Sequence, residues 1–315
     1  MKPVRQRVLV LGGSGFVGRH VVNALADAGH FAIVLTRRRA RARHLLLLPT
    51  VQVVEGDPYD APTLVRHARD TTAAINLVGV LHEHGAQTFE RAHVTLPRTL
   101  AAACRTAGIA RLLHMSALAA APDAPSRYLR SKAEGEAVVT AAGLATTIFR
   151  PSVIFGREDN FLNLFASLAR WFPVLPLAGA NARFQPIYAG DVARCFVRAL
   201  DDNETIGARY ALCGPKVYTL ADLVRYVAET TGHPRPILPL GPGVAGLQAR
   251  VMEMLPGSLL TRDNLASMQV DSVCDGAWPD RLGIAPSALE AIAPEYLAPE
   301  AQHSRFDLFR THGGR

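Results

Sequence analysis

Arg7-Val8-Leu9-Val10-Leu11-Gly12-Gly13-Ser14-Gly15-Phe16-Val17-Gly18 is the stretch on which the fold turns. Four consecutive apolar residues end at a pair of glycines. Apolar residues then recur at Phe16, Val17, Val21 and Leu25, the spacing of one helix face, until Gly29. This is strand, glycine turn, helix. Small residues in such a turn let the backbone approach a diphosphate and aim the helix amides at its charge. A glycine string alone also suits a purely structural turn, but here the strand before it and the helix after it point to a dinucleotide site. Its residues are Gly12, Gly15, Phe16, Val17 and Gly18.

The same rhythm continues outward. Phe31 to Thr36, Val51 to Val54, Ala73 to Val78, Arg111 to Met115 and Ala145 to Phe149 are further apolar runs, and Arg209 to Cys213 is a plausible last strand. Between them the spacing predicts helices over Ala61 to Arg69, Ala86 to Ala107 and Ser126 to Ala142, then over Asp191 to Leu200 and Thr219 to Thr230, each of these two opened by its capping residue. Strands that are nearly wholly apolar and alternate with helices imply a parallel sheet covered on both faces. The expected fold is therefore α/β, a doubly wound parallel sheet. Residues 1–155 and 185–213 are assigned to that core, and 156–184 with 214–315 to a smaller part facing a substrate or partner.

Composition excludes other classes. At 315 residues with 49% hydrophobic and 19% charged residues, the chain is neither disordered nor a disulfide scaffold. Cys104, Cys195, Cys213 and Cys274 lie far apart without a Cys-x-x-Cys pair, so they are expected to be reduced, mostly buried thiols rather than a zinc or redox site. No apolar run reaches the roughly 18 residues of a membrane span. The N-terminal residues run almost directly into the first strand, which leaves no room for a targeting segment, and a cytoplasmic location is expected. The net charge of +7 rests on arginine: Lys2, Lys132 and Lys216 are the lysines among 34 cations. No nucleic-acid motif accompanies this charge, so no nucleic-acid partner is expected. Val244, Leu247, Val251, Met252 and Leu255 fall on one stripe, which suits either core packing or a peripheral contact with the inner face of a membrane.

The end of the second strand chooses the coenzyme. An acidic side chain there would bind an unmodified ribose, whereas a 2′-phosphate needs cations. The residues are Thr36-Arg37-Arg38-Arg39, without a carboxylate, and a guanidinium grips phosphate through paired hydrogen bonds. NADP(H) is favoured over NAD(H), with Arg37 and Arg38 as the contacts, unless they are simply solvated as Arg41 and Arg43 are expected to be. Asp57 after Gly56 is either an adenine contact or a turn residue. Val78 and Gly79 end the fourth strand, where a doubly wound sheet opens its ligand crevice.

Tyr128 and Lys132 lie four residues apart on one helix face, where an ammonium would lower the phenol's pKa towards the working pH. With 7 tyrosines in 315 residues and only three lysines, about 0.07 such pairs are expected by accident. The alternative is a surface tyrosine beside a solvated lysine.

These pieces, in this order, resemble the short-chain dehydrogenase/reductase superfamily in its extended or atypical branch. Gly12 to Gly18 is similar to the family's glycine turn, Gly56-Asp57 to its adenine contact, and Tyr128-x-x-x-Lys132 to its active-site pair. Arg150-Pro151-Ser152-Val153-Ile154-Phe155-Gly156 is similar to the segment that closes over nicotinamide, which implies Pro151 as a coenzyme contact. Within the branch, His114 to Leu118, Ser126 to Lys132 and Leu260 to Leu265 resemble bacterial relatives of the nucleotide-binding accessory subunit of respiratory complex I.

The resemblance implies Tyr128, Lys132 and Ser116 as catalytic residues, with Lys132 also on the coenzyme ribose. Two departures stand out: Ala117 occupies the position of the family's carbonyl-orienting Ser or Thr, and His93 that of its proton-relay Asn. His93 or Ser152 is a candidate replacement donor. Two functions follow. One is an oxidoreductase passing hydride to or from a carbonyl, alcohol or quinone-related small molecule. The other is a module that holds NADP(H) and docks to a respiratory or quinone-linked complex.

Overall fold

The computed structural model describes residues 5–253 and 260–298. The chain divides into two compact units. The first comprises the chain up to Ser152, Ala189–Cys213 and Cys274–Ala285. Its strands are β1 (Arg7–Leu11), β2 (Phe31–Thr36), β3 (Val51–Glu55), β4 (Ala73–Asn76), β5 (Arg111–Met115), β6 (Ala145–Pro151) and β7 (Arg209–Leu212). They form one sheet in the order β7-β6-β5-β4-β1-β2-β3, and every pairing is parallel. Val8 to Leu11 are wholly buried, as a strand covered on both faces must be. This is the expected doubly wound sheet. Its strand order reverses between β1 and β4, and a crevice opens beyond the carboxyl ends of such strands.

The helices of this unit are α1 (Phe16–Asp27), α2 (Ala61–Ala68), α3 (Leu96–Ala107), α4 (Arg127–Ala141) and α5 (Ala189–Asp201). Local chemistry sets their starts. Asp60 caps α2 by accepting from the Thr63 amide at 3.0 Å, and Ser126 caps α4 by accepting from Leu129 at 3.2 Å. Asp191 is not the cap expected of it; it lies inside the first turn of α5 and pairs with Arg194.

The helix expected over Ala86 to Ala107 runs unbroken from Phe89 to Ala107 but is not α-helical throughout. Glu90–Thr95 form a π-turn, in which the Leu96 amide reaches back five residues to Arg91. The reason is Pro97: in an α-helix the residue at 97 would donate to the His93 carbonyl, and proline has no amide hydrogen. The widened turn leaves that carbonyl against α4, where a Cβ on Gly135 would lie 2.1 Å from it.

Two further expectations fail in this unit. Cys213 and Cys274 are joined in a disulfide, while Cys104 and Cys195 are buried free thiols. The bond holds residues 274–285 on the first unit, although the sequence reading gave all of 214–315 to the second. Arg281 reinforces it with an ion pair to Asp202 at 3.0 Å, and Leu282 is buried.

The second unit comprises Val153–Tyr188, Gly214–Val273 and the chain from Pro286. Helices Leu162–Trp171 and Leu220–Thr230 pack through Leu162, Phe165, Leu223 and Val227. Thr219 opens the latter with a capping box shared with Asp222. Strand Leu175–Ala178 runs parallel to Ile237–Leu240. Buried Asp159 accepts from the Leu162 amide at 2.6 Å and from the Tyr296 hydroxyl at 3.1 Å, which ties Tyr296 to the start of the first helix.

Candidate functional site

The candidate site lies in the first unit, at the reversal between β1 and β4. Gly12 has φ +80°, and a Cβ there would sit 2.9 Å from the backbone of Leu77. Only glycine lets the turn lie on the end of β4. At Gly18 a Cβ would meet the Gly12 carbonyl at 2.0 Å, so α1 starts hard against the turn. Unlike α2 and α4, α1 has no side-chain cap, its N-cap being Gly15; like them it has no acidic residue in its first turn. Its first amides are thus left for an anion, and the cradle fits a diphosphate. Val17 is buried and Phe16 half-buried, its ring edge-on to His20 with centroids 6.0 Å apart.

Beside this turn, the Thr36 hydroxyl lies 3.4 Å from Ser14 Oγ. Arg37 and Arg38 are exposed beyond the strand end, as are Arg41 and Arg43. With the Gln87 amide turned so that its oxygen faces Arg37, that oxygen accepts from both terminal guanidinium nitrogens at 2.6 and 3.0 Å. Arg91 stacks 4.3 Å above the Tyr59 ring. Burial raises the Tyr59 phenol's pKa, and Arg91 and then Arg37 oppose the rise. Gln87, Arg91 and Tyr59 were missed in the sequence because their contacts bridge segments some thirty to fifty residues apart. A carboxylate also stands closer than the Thr36 to Arg39 run implied: Glu55, at the end of β3, accepts from the Arg39 amide at 3.3 Å. Asp57 is exposed and accepts from the Tyr59 amide at 3.0 Å, the geometry of a turn residue.

On the other side of the crevice the chain leaves β4 through Asn76, whose side chain accepts from the Val78 amide at 3.2 Å and contacts His114 Nδ1 at 3.2 Å. Gly79 is exposed, and a Cβ there would lie 3.0 Å from Lys132 Nζ. The ammonium is therefore laid against the backbone at the crevice. Lys132 is 3% exposed and donates to the Met115 carbonyl at 3.3 Å. Burial pushes its pKa down to about 8, with Glu136 opposing the fall.

Tyr128 is half-buried, with its ring edge-on to Phe89 and His93 at centroid distances of 5.9 and 5.5 Å. The expected lowering of its pKa is reversed. Burial pushes the phenol up to about 12, because desolvation disfavours its charged form.

The departures now have a physical form. Ala117 packs with Tyr128, Ala119, Ala121, Ala124 and Leu129 in a small apolar cluster, so this side of the phenol has methyl groups where an oxygen donor was expected. Ser116, the candidate catalytic serine, is 3% exposed and its hydroxyl has no hydrogen-bond partner among the described residues. His93 is not a spare donor. The Ser131 hydroxyl donates to the Tyr128 carbonyl at 2.7 Å, so His93 Nδ1 donates to Ser131 Oγ at 2.8 Å, and Nε2 accepts from the Val80 amide at 3.1 Å. Burial and then Lys132 press its pKa down to about 2, so the ring is neutral and both nitrogens are committed. Ser152 and Pro151 are buried; the Pro151 carbonyl accepts from Leu118 at 3.0 Å.

The site thus brings together an anion cradle, exposed guanidinium groups, a buried ammonium and a protonated phenol. It can hold a dinucleotide and deliver a proton.

The chain is 34% identical over 297 residues to alpha subcomplex subunit 9 of mitochondrial NADH dehydrogenase (ubiquinone) from Mus musculus, across 91% of this chain and 78% of that protein. It is 34% identical over 244 residues to a ceramide reductase from Caulobacter vibrioides, across 75% of this chain and 74% of that one. An NADPH-dependent quinone oxidoreductase from Escherichia coli, solved with NADPH, shares the fold with a TM-score of 0.72 at 18% identity, covering 92% of this chain and 99% of that one. Residues 8–213, which carry the sheet and every group of the site, match the NAD dependent epimerase/dehydratase family, and the chain belongs to that NAD(P)-binding family.

Proposed function

We propose that the chain is an NADP(H)-dependent reductase of a carbonyl or quinone-related substrate, with Tyr128 as the proton donor. The observation that carries this reading is Lys132 Nζ laid against Gly79, which joins the coenzyme crevice to the helix bearing Tyr128. In this reading Gly12, Gly15 and the first amides of α1 hold the diphosphate, Arg37 and Arg38 the 2′-phosphate, and Lys132 the ribose hydroxyls. When bound, the nicotinamide supplies the hydride. A phenol held at about 12 is protonated throughout the working pH range, which suits it to giving a proton to a carbonyl oxygen. The relatives named as reductases support the reaction class.

The test is NADPH oxidation by the purified chain against a panel of ketones and quinones. Tyr128→Phe is expected to lower turnover at least about 100-fold while leaving NADPH affinity within about twofold; unchanged turnover would remove Tyr128 from the reaction. Coenzyme affinity is expected to fall as pH rises through about 8, where Lys132 loses its charge. Replacing both Arg37 and Arg38 by alanine is expected to weaken NADPH about 30-fold, roughly 2 kcal/mol, and to leave NADH unchanged. Titration calorimetry reads this difference directly.

Ala117 and the committed His93 favour a second reading, a module that keeps NADP(H) as a fixed ligand and docks to a quinone-linked complex, as the similarity to a subunit of NADH dehydrogenase suggests. Tight NADPH binding without turnover on any carbonyl or quinone supports it.

A further inference from the structure

The second unit carries an apolar surface that its own core leaves uncovered. Helix Leu162–Trp171 ends with Trp171 76% exposed, followed by Phe172 at 52% and by exposed Val174. The chain then enters strand Leu175–Ala178, whose partner residue opposite Pro176 is Leu238, 55% exposed. The Leu175 amide donates to the Pro236 carbonyl at 2.9 Å and Arg235 Nε to the Ala169 carbonyl at 2.9 Å, so the two segments are stitched side by side. Four residues beyond Leu240, Val244 is exposed on helix Pro242–Glu253. Leu247, Val251, Met252 and Leu255, the other residues of the stripe noted in the sequence, lie outside the described side chains.

The two segments that build this surface carry cations and no carboxylate, although exposed Glu229 stands beside Arg235 and Pro236 just before the second of them. Between Asn160 and Gly190 there is no Asp or Glu, and between Thr230 and Met252 there is none either. These are the two segments that build the surface. Arg170 and Arg250 are exposed and pair with no carboxylate among the described residues. Glu253, at the edge, is paired with Arg262 at 2.8 Å. Apolar groups set among unpaired cations complement an anionic lipid surface: tryptophan and phenylalanine enter the headgroup layer while arginines meet phosphates. A second copy of the chain fits less well, since a two-fold contact would set Arg170 and Arg250 against their own like charges without a carboxylate between them. No described helix is long and apolar enough to cross a membrane, so the contact is peripheral.

We infer that the surface formed by Trp171, Phe172, Val174, Leu238 and Val244 docks on an anionic phospholipid bilayer, with Arg170 and Arg250 on the lipid phosphates. The test is co-sedimentation of the full chain with vesicles of phosphatidylcholine alone and with about 30% phosphatidylglycerol. Binding to the anionic vesicles is expected, weakening with salt. A blue shift of tryptophan emission is expected with it, because Trp278, the other of the two tryptophans, is half-buried in the first unit. The double variant Trp171→Asp, Phe172→Asp is expected to lose at least tenfold in vesicle affinity with an unchanged melting curve and unchanged NADPH binding. Absence of binding to anionic vesicles would overturn the inference. Equal binding of the double variant would also overturn it, since the basic first unit would then be responsible, as would concentration-dependent dimerisation that the double variant abolishes.

Discussion

Lys132→Met is expected to make the protein more stable at pH 7 by about 2 kcal/mol while removing coenzyme affinity. The ammonium is buried, its hydrogen bond to the Met115 carbonyl is long at 3.3 Å, and its pKa is held at about 8 against an ordinary 10.5. At about 1.4 kcal/mol for each tenfold change in proton affinity, that burial costs about 3 kcal/mol, of which roughly 1 is offset by the bond the variant loses. The nearest carboxylate, Glu136, is already held by Arg150 at 2.8 and 2.6 Å and is not orphaned by the change. The sign of the pH dependence follows. The folded chain gives up this proton more readily than the unfolded chain, so the burden is complete below pH 8, shrinks between 8 and 10.5, and is gone above. Urea unfolding at pH 7 and pH 10.5 reads both limits. A variant less stable than the parent at pH 7 would make Lys132 a structural group and remove its claim on the coenzyme.

Gly135→Ala carries the second large effect, and here the sign alone is diagnostic. In the middle of an ordinary helix this change stabilises by about 1 kcal/mol. At Gly135 the new Cβ would stand 2.1 Å from the His93 carbonyl oxygen, a backbone atom with nowhere to retreat. Destabilisation of about 3 kcal/mol is expected. Because Tyr128 and Lys132 ride on the same helix, turnover is expected to fall even though residue 135 touches no coenzyme group. Denaturant melts and NADPH oxidation check the two parts. A stabilised variant would mean that α4 does not rest on the π-turn.

How far these features were legible differs by kind. The glycine turn, the apolar strands and the Thr219 cap are local patterns, and each sits where its spacing puts it. The Tyr128 and Lys132 pair is equally local, but its electrostatics are not, because the burial that raises the phenol comes from Phe89, His93 and the Ala117 cluster, brought in from two other segments. Pro97 was a visible sign that the helix before it would widen; apolar spacing across Ala86 to Ala107 masked it. The Cys213–Cys274 bond spans 61 residues and left no local trace, so the return of residues 274–285 to the first unit was not readable either. The Arg37 to Gln87 contact belongs to the same class: two polar residues on separate loops, joined only by the fold.

The unchanged protein reports most directly on the coenzyme itself. In calorimetric titrations of folded protein at pH 7, one NADPH is expected to bind per chain, with NADH at least about 30-fold weaker for want of the 2′-phosphate. Heat of equal affinity from both would contradict the role given to Arg37 and Arg38, and no heat from either, oxidised or reduced, would contradict the account at its root.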